Sequence, residues 1–316
     1  MTQKAPGKSH REGISLLELT EMFPEAAAAV EGWEARRGPD GERHCGRCCS
    51  VNTQEVPNAK PMPYWCTDCR SYFSVRTGTM MESSRLPFRK WAFAVYLYVT
   101  NLKGVSSMKL HRDLGITQKS AWFMLHRLRE AWDDTEVDLF TGPVEADETY
   151  MGGKRQNMPK SKRRGLTGRG AVGKAAIIGS KDRETNQVVA RHIPNTGAQH
   201  TAGFVAEKTA PGATVYTDQA RTYHALKSHY DHHSVNHSVG EYVKDQAHTN
   251  GIESFWAMLK RGHDGTYHKM SEKHLQRYVI EFARRHNIRE ADTLEQMSQI
   301  VAGMVGRRLM YSDLIA

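Results

Sequence analysis

Val144-Glu-Ala-Asp-Glu-Thr-Tyr-Met-Gly-Gly153, VEADETYMGG, is the stretch whose reading decides the fold. A β-branched residue, alternating small and acidic residues and a closing Gly pair predict a strand over Val144–Tyr150 that ends in a turn. Along a strand the side chains alternate between faces. Glu145, Asp147 and Thr149 then share one face, and Ala146, Glu148 and Tyr150 the other. On that geometry Asp147 and Glu148 are not expected to enter one site together.

Further β-like runs follow at Ala175–Ser180, Gln187–His192 and Ala213–Thr217, with a helical stretch, Ala198–Lys208, between the last two. The order β-β-β-α-β-α predicts an α/β, ribonuclease-H-like mixed sheet flanked by helices. Asp218 follows the last run directly, at a strand end, where a sheet presents ligands to a cleft. The closing helix carries Ile252, Phe255, Trp256 and Leu259 at i, i+3, i+4 and i+7, an apolar stripe. Glu253 and Lys260 lie seven apart, on nearly one side of that helix. Asn250, one turn earlier, can offer its carbonyl oxygen to a metal or brace Glu253. Asp147, Asp218 and Glu253 thus stand on a strand, a strand end and a helix. Carboxylates so placed can hold two Mg²⁺ or Mn²⁺ ions for in-line attack on a phosphodiester.

Upstream, Cys45-x2-Cys48 and Cys66-x2-Cys69 are separated by seventeen residues. Two such pairs predict a structural Zn²⁺ site with four thiolates. The segment between them has too little apolar surface to fold alone, so metal supplies the missing free energy. Cys49 falls outside the pattern. In GVSSMKLHRDLGITQKSAWFMLHRLREAW, residues 104–132, Ser106 or Ser107 starts one helix, Gly115 makes a turn and Thr117 caps a second helix. That is a helix-turn-helix, and it makes Gln118, Lys119 and Ser120 the candidates for contact with DNA. An apolar pattern also runs from Ile14 to Trp33 and predicts a helix there.

The balance of charge agrees. There are 44 Lys and Arg against 35 Asp and Glu, a net charge of +9 that favours a polyanion. Residues 154–174 hold eight Lys or Arg and no acid, Lys154, Arg155, Lys162, Arg163 and Arg164 among them. This Gly-bearing loop is expected to stay unstructured until it grips DNA. The longest clean apolar run, WAFAVYLYV over 91–99, falls far short of the roughly 20 residues of a membrane span. Residues 1–13 lack the apolar core of a secretory signal, so a cytoplasmic location and no membrane partner are expected. Six His between His224 and His248 match no compact zinc motif. A last amphipathic run, 272–287, turns Leu275, Tyr278, Val279 and Phe282 inward and Arg277, Arg284 and Arg285 outward.

The expected layout is an N-terminal helix and tail over 1–38, a zinc ribbon over 39–80 and the helix-turn-helix over 87–133. The catalytic domain spans 140–289, and a helical tail 290–316. The motifs VEADETYMGG, VYTDQARTYHAL (215–226) and HTNGIESFWAMLKRG (248–262), behind a ribbon ending in YWCTDCRSYFSVRTGT (64–79), resemble those of bacterial insertion-sequence DDE transposases. The likeness is to the zinc-ribbon-bearing ISXO2-like group and runs from about Leu16 to Asn287. It implies a ribonuclease-H-like core that uses Mg²⁺ or Mn²⁺ to cleave the element's ends and join them to target DNA. Double-stranded DNA is the implied partner and a homo-oligomer on DNA the implied working form. Asp147, Asp218 and Glu253 match the family's acidic triad and Lys260 its following basic residue, with Asn250 the alternative third ligand. The competing readings are a non-catalytic DNA-binding regulator and a structure-selective nuclease on the same fold.

Overall fold

A computed structural model describes residues 12–37, 43–133, 138–153, 155–164, 166, 171–218, 220–235 and 248–316. The chain divides into two compact units, Met1–Asp134 with Ile288–Ala316, and Thr135–Asn287.

The first unit opens with α1 (Leu16–Met22), whose N-cap Ser15 and Glu18 form a reciprocal capping box. The single helix expected over Ile14–Trp33 is two, because Pro24 lacks an N–H and breaks the ladder before α2 (Ala26–Arg37). The antiparallel strands β1 (Thr53–Glu55), β2 (Tyr64–Cys66) and β3 (Ser71–Phe73) make a small sheet. Helix α3 (Phe88–Thr100) buries Trp91, Val95 and Tyr98. Then α4 (Ser107–Leu114, capped by Ser106) ends at Gly115 in the left-handed region, φ 57°, and α5 (Gln118–Ala131) starts under the Thr117 cap. Residues 290–316 are more than a tail. They form α10 (Thr293–Gly303) and α11 (Tyr311–Ile315), and α10 packs on α2, α3 and α5. Burial of Met297, Ile300, Val301 and Met304 drives that packing.

The second unit is a mixed sheet between helices. Its strands are β4 (Val144–Met151), β5 (Ala175–Asp182), β6 (Val188–Ile193), β7 (Thr214–Asp218) and β8 (Asp231–Val235), in the order β6-β5-β4-β7-β8. The β6-β5-β4 half is antiparallel, and β4-β7-β8 is parallel. The sequence pattern missed β8, which lies in the His-rich stretch. A short helix α6 (Lys160–Arg164) and a 3-10 turn, Arg155–Asn157, order part of the basic loop that was expected to be unstructured. Strand alternation sorts the core into two layers. Val144, Ala146, Ile178 and Val215 pack with α7 (Ala198–Lys208) and Tyr223 and Leu226 of the 3-10 helix Arg221–Ser228. On the opposite face, Met151, Ile177 and Val188 pack with α8 (Asn250–Gly262) and α9 (Glu272–Asn287). In α9, Leu275, Tyr278, Val279 and Phe282 are buried as the pattern requires. Arg285 is not outward as expected. It is buried and pairs at 2.8 Å with Glu281, which is also buried.

Candidate active site

The register of the parallel half builds the site. Strands β4 and β7 pair only at Val144↔Val215 and Glu145↔Tyr216. Continued two residues, that register sets Asp147 level with Asp218. Beyond those residues no further β4–β7 pairing is present among the described residues, and there carboxylates from both faces of β4 approach Asp218.

Asp147, Glu148 and Asp218 do so, each presenting an oxygen such that the three atoms lie within 4.8 Å of one another. This corrects the expectation that Asp147 and Glu148 diverge. The alternation holds, since Asp147 faces Trp256 of α8 while Glu148 faces Tyr223 on the other layer. Side chains from opposite faces of β4 still reach one point, at Asp218 on the end of β7. Asp218 is fixed by accepting the Ala220 N–H at 3.0 Å.

Among the described residues, the electrostatics are those of crowded carboxylates, with burial and like charge as the leading causes. Burial, followed by the Asp218 charge, pushes Asp147 up to about 7, and Glu253 adds to the rise. Burial and Asp218 likewise push Glu148 up to about 7. The Tyr223 phenol, buried beside Glu148 and Asp147, is raised well above its ordinary value. A divalent cation placed among these groups removes the repulsion, so the donor set fits a hard oxygen-loving ion.

Helix α8 supplies the next layer. Trp256 donates its Nε1–H to Asp147 Oδ2 at 3.1 Å. Gly179, opposite Asp147 in the β4–β5 ladder, makes room, because a Cβ there would stand 2.6 Å from Trp256 Cη2. Glu253 accepts the Thr249 hydroxyl at 2.8 Å and lies close enough to act on Asp147, though outside the tight group of three. Asn250, in the first turn of α8, and Lys260, in its last, are exposed.

The family match falls on this unit. A family model described as ISXO2-like transposase domain matches residues 140–287. An uncharacterized protein in transposable element ISH50 of Halobacterium salinarum is 33% identical over 211 residues, covering 63% of this chain and 69% of that protein. The chain belongs to the ISXO2-like transposases. Membership in this transposase family implies binding to DNA and work with divalent metal ions. No helix among the described residues is long and apolar enough to cross a membrane.

In this transposase the four paired cysteines also converge. Sulfur atoms of Cys45, Cys48, Cys66 and Cys69 all lie within 4.8 Å of one another, a possible zinc site. The Cys45–Cys69 and Cys48–Cys66 separations are 3.7 and 3.6 Å. The Arg47 N–H points at Cys45 Sγ, and backbone N–H bonding from Cys69 leads the effects that bring the Cys66 thiol down to about 7. At Cys66 the donors aimed at sulfur favour thiolate, the form that binds metal, while Cys48 and Cys69 are pushed up. Cys49 is exposed and outside the group.

The residues expected to touch DNA have their own surroundings. Gln118 and Lys119 are exposed at the start of α5, where Gln118 donates to Ser107 at 2.9 Å and Lys119 lies over the Tyr311 ring. Ser120 shares the Thr117 cap. Arg155 donates to the Leu166 carbonyl, Arg163 is half-buried and Arg164 is exposed. Lys154 and the side chain of Lys162 lie outside the described residues. Arg76, beside the ribbon, is turned inward onto the Ser84 and Leu86 carbonyls and the Phe88 ring.

Proposed function

We propose that this chain cuts the ends of its own insertion sequence and transfers them to target DNA, using Mg²⁺ or Mn²⁺ held by Asp147, Asp218, Glu148 and Glu253. The observation that carries this reading is the convergence of Asp147, Glu148 and Asp218 where β4 meets the end of β7. Glu148 thereby joins the ligand set as a member in its own right. Three antiparallel strands followed by two parallel ones, with helices on both faces, support a ribonuclease-H-like core.

Two bound divalent ions would lower the pKa of the attacking hydroxyl and stabilise the leaving 3′ oxygen. The chain's own residues do the rest. Asp147 and Glu148 reach the working state by releasing protons they hold up to about pH 7. Trp256 holds Asp147 in one orientation, and Thr249 holds Glu253. Lys260, two turns from Glu253, steadies a DNA phosphate. The α4–α5 pair acts as a helix-turn-helix, with Gln118, Lys119 and Ser120 nearest the bases of the terminal repeats. Lys154, Arg155, Lys162, Arg163 and Arg164 grip the backbone, and the cysteine site holds Zn²⁺ as a structural ion. The working form is a homo-oligomer on double-stranded DNA.

The test is to incubate protein with DNA carrying the element's end and Mg²⁺ or Mn²⁺, and to compare it with Asp218→Ala. Cleavage and joined products are expected from the wild type, and binding alone from the variant. Binding without cleavage by both proteins would refute the enzyme reading. Cleavage without joining would favour a nuclease.

A further inference from the structure

Glu145 is an acid the proposed reaction does not use. It is 1% exposed, two residues before Asp147 on the same face of β4. Leaving a carboxylate in such a place is costly unless its oxygens are committed. Both are. Oε1 accepts the Arg183 Nε–H at 2.8 Å and lies 3.3 Å from His248 Nδ1. Oε2 accepts the backbone N–H of Ile252, in the first turn of α8, at 2.9 Å.

Helix α8 lacks the usual cap of its own. Thr249, its N-cap, makes no side-chain bond to a first-turn backbone N–H and gives its hydroxyl to the Glu253 carboxylate instead. The first-turn N–H that Thr249 leaves is taken by a carboxylate on another element, at the positive end of the helix dipole. Arg183 closes the clamp by donating Nη2–H to the His248 carbonyl at 2.6 Å. The approach is tight. A Cβ at Gly251 would stand 2.7 Å from Glu145 Oε2 and 2.9 Å from Lys181 Nζ.

Ile252, the residue held, immediately precedes Glu253. The clamp therefore sets where Glu253 stands relative to Asp147, two residues along from Glu145. We infer that Glu145, with Arg183, is a positioning residue that locks α8 to β4 and so fixes the fourth carboxylate of the divalent-metal site. This rests on the reading given under Proposed function. Outer partners that orient metal ligands change affinity by about 10–100-fold when removed, and a loss in that range is expected here.

The experiment is calorimetric titration of the full chain with Mn²⁺, without DNA. Wild type is compared with Glu145→Gln, Arg183→Met and Asp147→Ala, and far-UV circular dichroism and zinc content are recorded for each. Asp147→Ala defines the site and should abolish it. Glu145→Gln keeps an oxygen for Ile252 but loses the charge that holds Arg183, so about 10-fold weaker Mn²⁺ binding is expected, with unchanged dichroism and zinc. Arg183→Met should weaken binding in the same direction. Mn²⁺ bound equally by wild type and both clamp variants would overturn the inference alone. Weaker binding accompanied by lost helical signal would also overturn it, in favour of plain structural support. A wild type without an Asp147-dependent Mn²⁺ site would instead sink the metal-centre reading on which it rests.

Discussion

Asp218→Asn should stabilise the metal-free protein at pH 8 while removing its response to divalent ions. Asp147, Glu148 and Asp218 bring one oxygen each within 4.8 Å of one another. Two unit charges 4.8 Å apart repel by about 3 kcal/mol at an effective dielectric constant of about 20. Asparagine removes the charge that acts on both neighbours yet keeps an oxygen for the Ala220 N–H. The sign with pH follows from the raised values. Asp147 moves from 3.8 to about 7 and Glu148 from 4.5 to about 7, so the native state holds protons that the unfolded chain has released. Stability from these groups is complete below about pH 4 and is lost as pH rises through about 7. Wild type should therefore be at its weakest at pH 8. With partial solvent screening, Asp218→Asn should recover about 2 kcal/mol, or about 4–8 °C in the midpoint of a unit of this size. The assay is thermal unfolding of the full chain in divalent-free buffer without chelator, at pH 8 and pH 5.5, with and without Mn²⁺. The gain should shrink at pH 5.5, where wild type is already protonated, and Mn²⁺ at pH 8 should reverse the order. A variant no more stable than wild type at pH 8, or a gap of equal size at both pH values, would refute the reasoning.

Three other perturbations address separate links. Glu148→Gln should lower strand cleavage by at least about 100-fold, since one decade corresponds to about 1.4 kcal/mol and a lost ligand removes more than one; near-normal cleavage would leave Glu148 a bystander. Gly179→Val places a branched side chain where a Cβ already meets Trp256 Cη2 at 2.6 Å, so about 1–3 kcal/mol should be lost. In a Trp256→Phe background that loss, read by urea midpoint, should be smaller, and an unchanged loss would mean the clash lies elsewhere. Cys66→Ser should release zinc and open residues 43–79 to protease, while Cys49→Ser should alter neither; zinc content and digestion kinetics decide it.

Much of the fold could be read because local periodicity and local packing agree. Trp91, Val95 and Tyr98 mark the inner face of α3, and Leu275, Tyr278, Val279 and Phe282 that of α9, all of them buried. What stayed hidden depends on distant chain. Asp231-His-His-Ser-Val235 has no apolar alternation, and Val235 alone in it is fully buried. It is a strand because β7 offers it a parallel edge. Helix α10 reads as weakly helical because its meaning lies in Met297, Ile300 and Val301 meeting α2 and α3, across the whole second unit in sequence. Arg285 looks outward on a helical wheel until Glu281, buried one turn earlier, takes its guanidinium.

The site divides along the same line. Asp147 and Asp218 could be chosen from sequence because each carries its own local signal, one within a strand and one at a strand's end. Glu148 could not, because it leaves β4 on the face opposite Asp147 and meets it only at the Asp218 carboxylate. Alternation of faces holds but does not say how far a carboxylate can reach at a strand end, and the β4–β7 pairing is confined to Val144 and Glu145 of β4. Val144 and Val215 are both fully buried in the layer under α7, which pins the two strands together at that level. Past them, Asp147 and Glu148 meet the Asp218 carboxylate, and burial together with that charge raises the proton affinity of both. Sequence marks Asp147 and Asp218 as separate acids, but it is the Val144–Val215 register that sets them level and lets Glu148 join them.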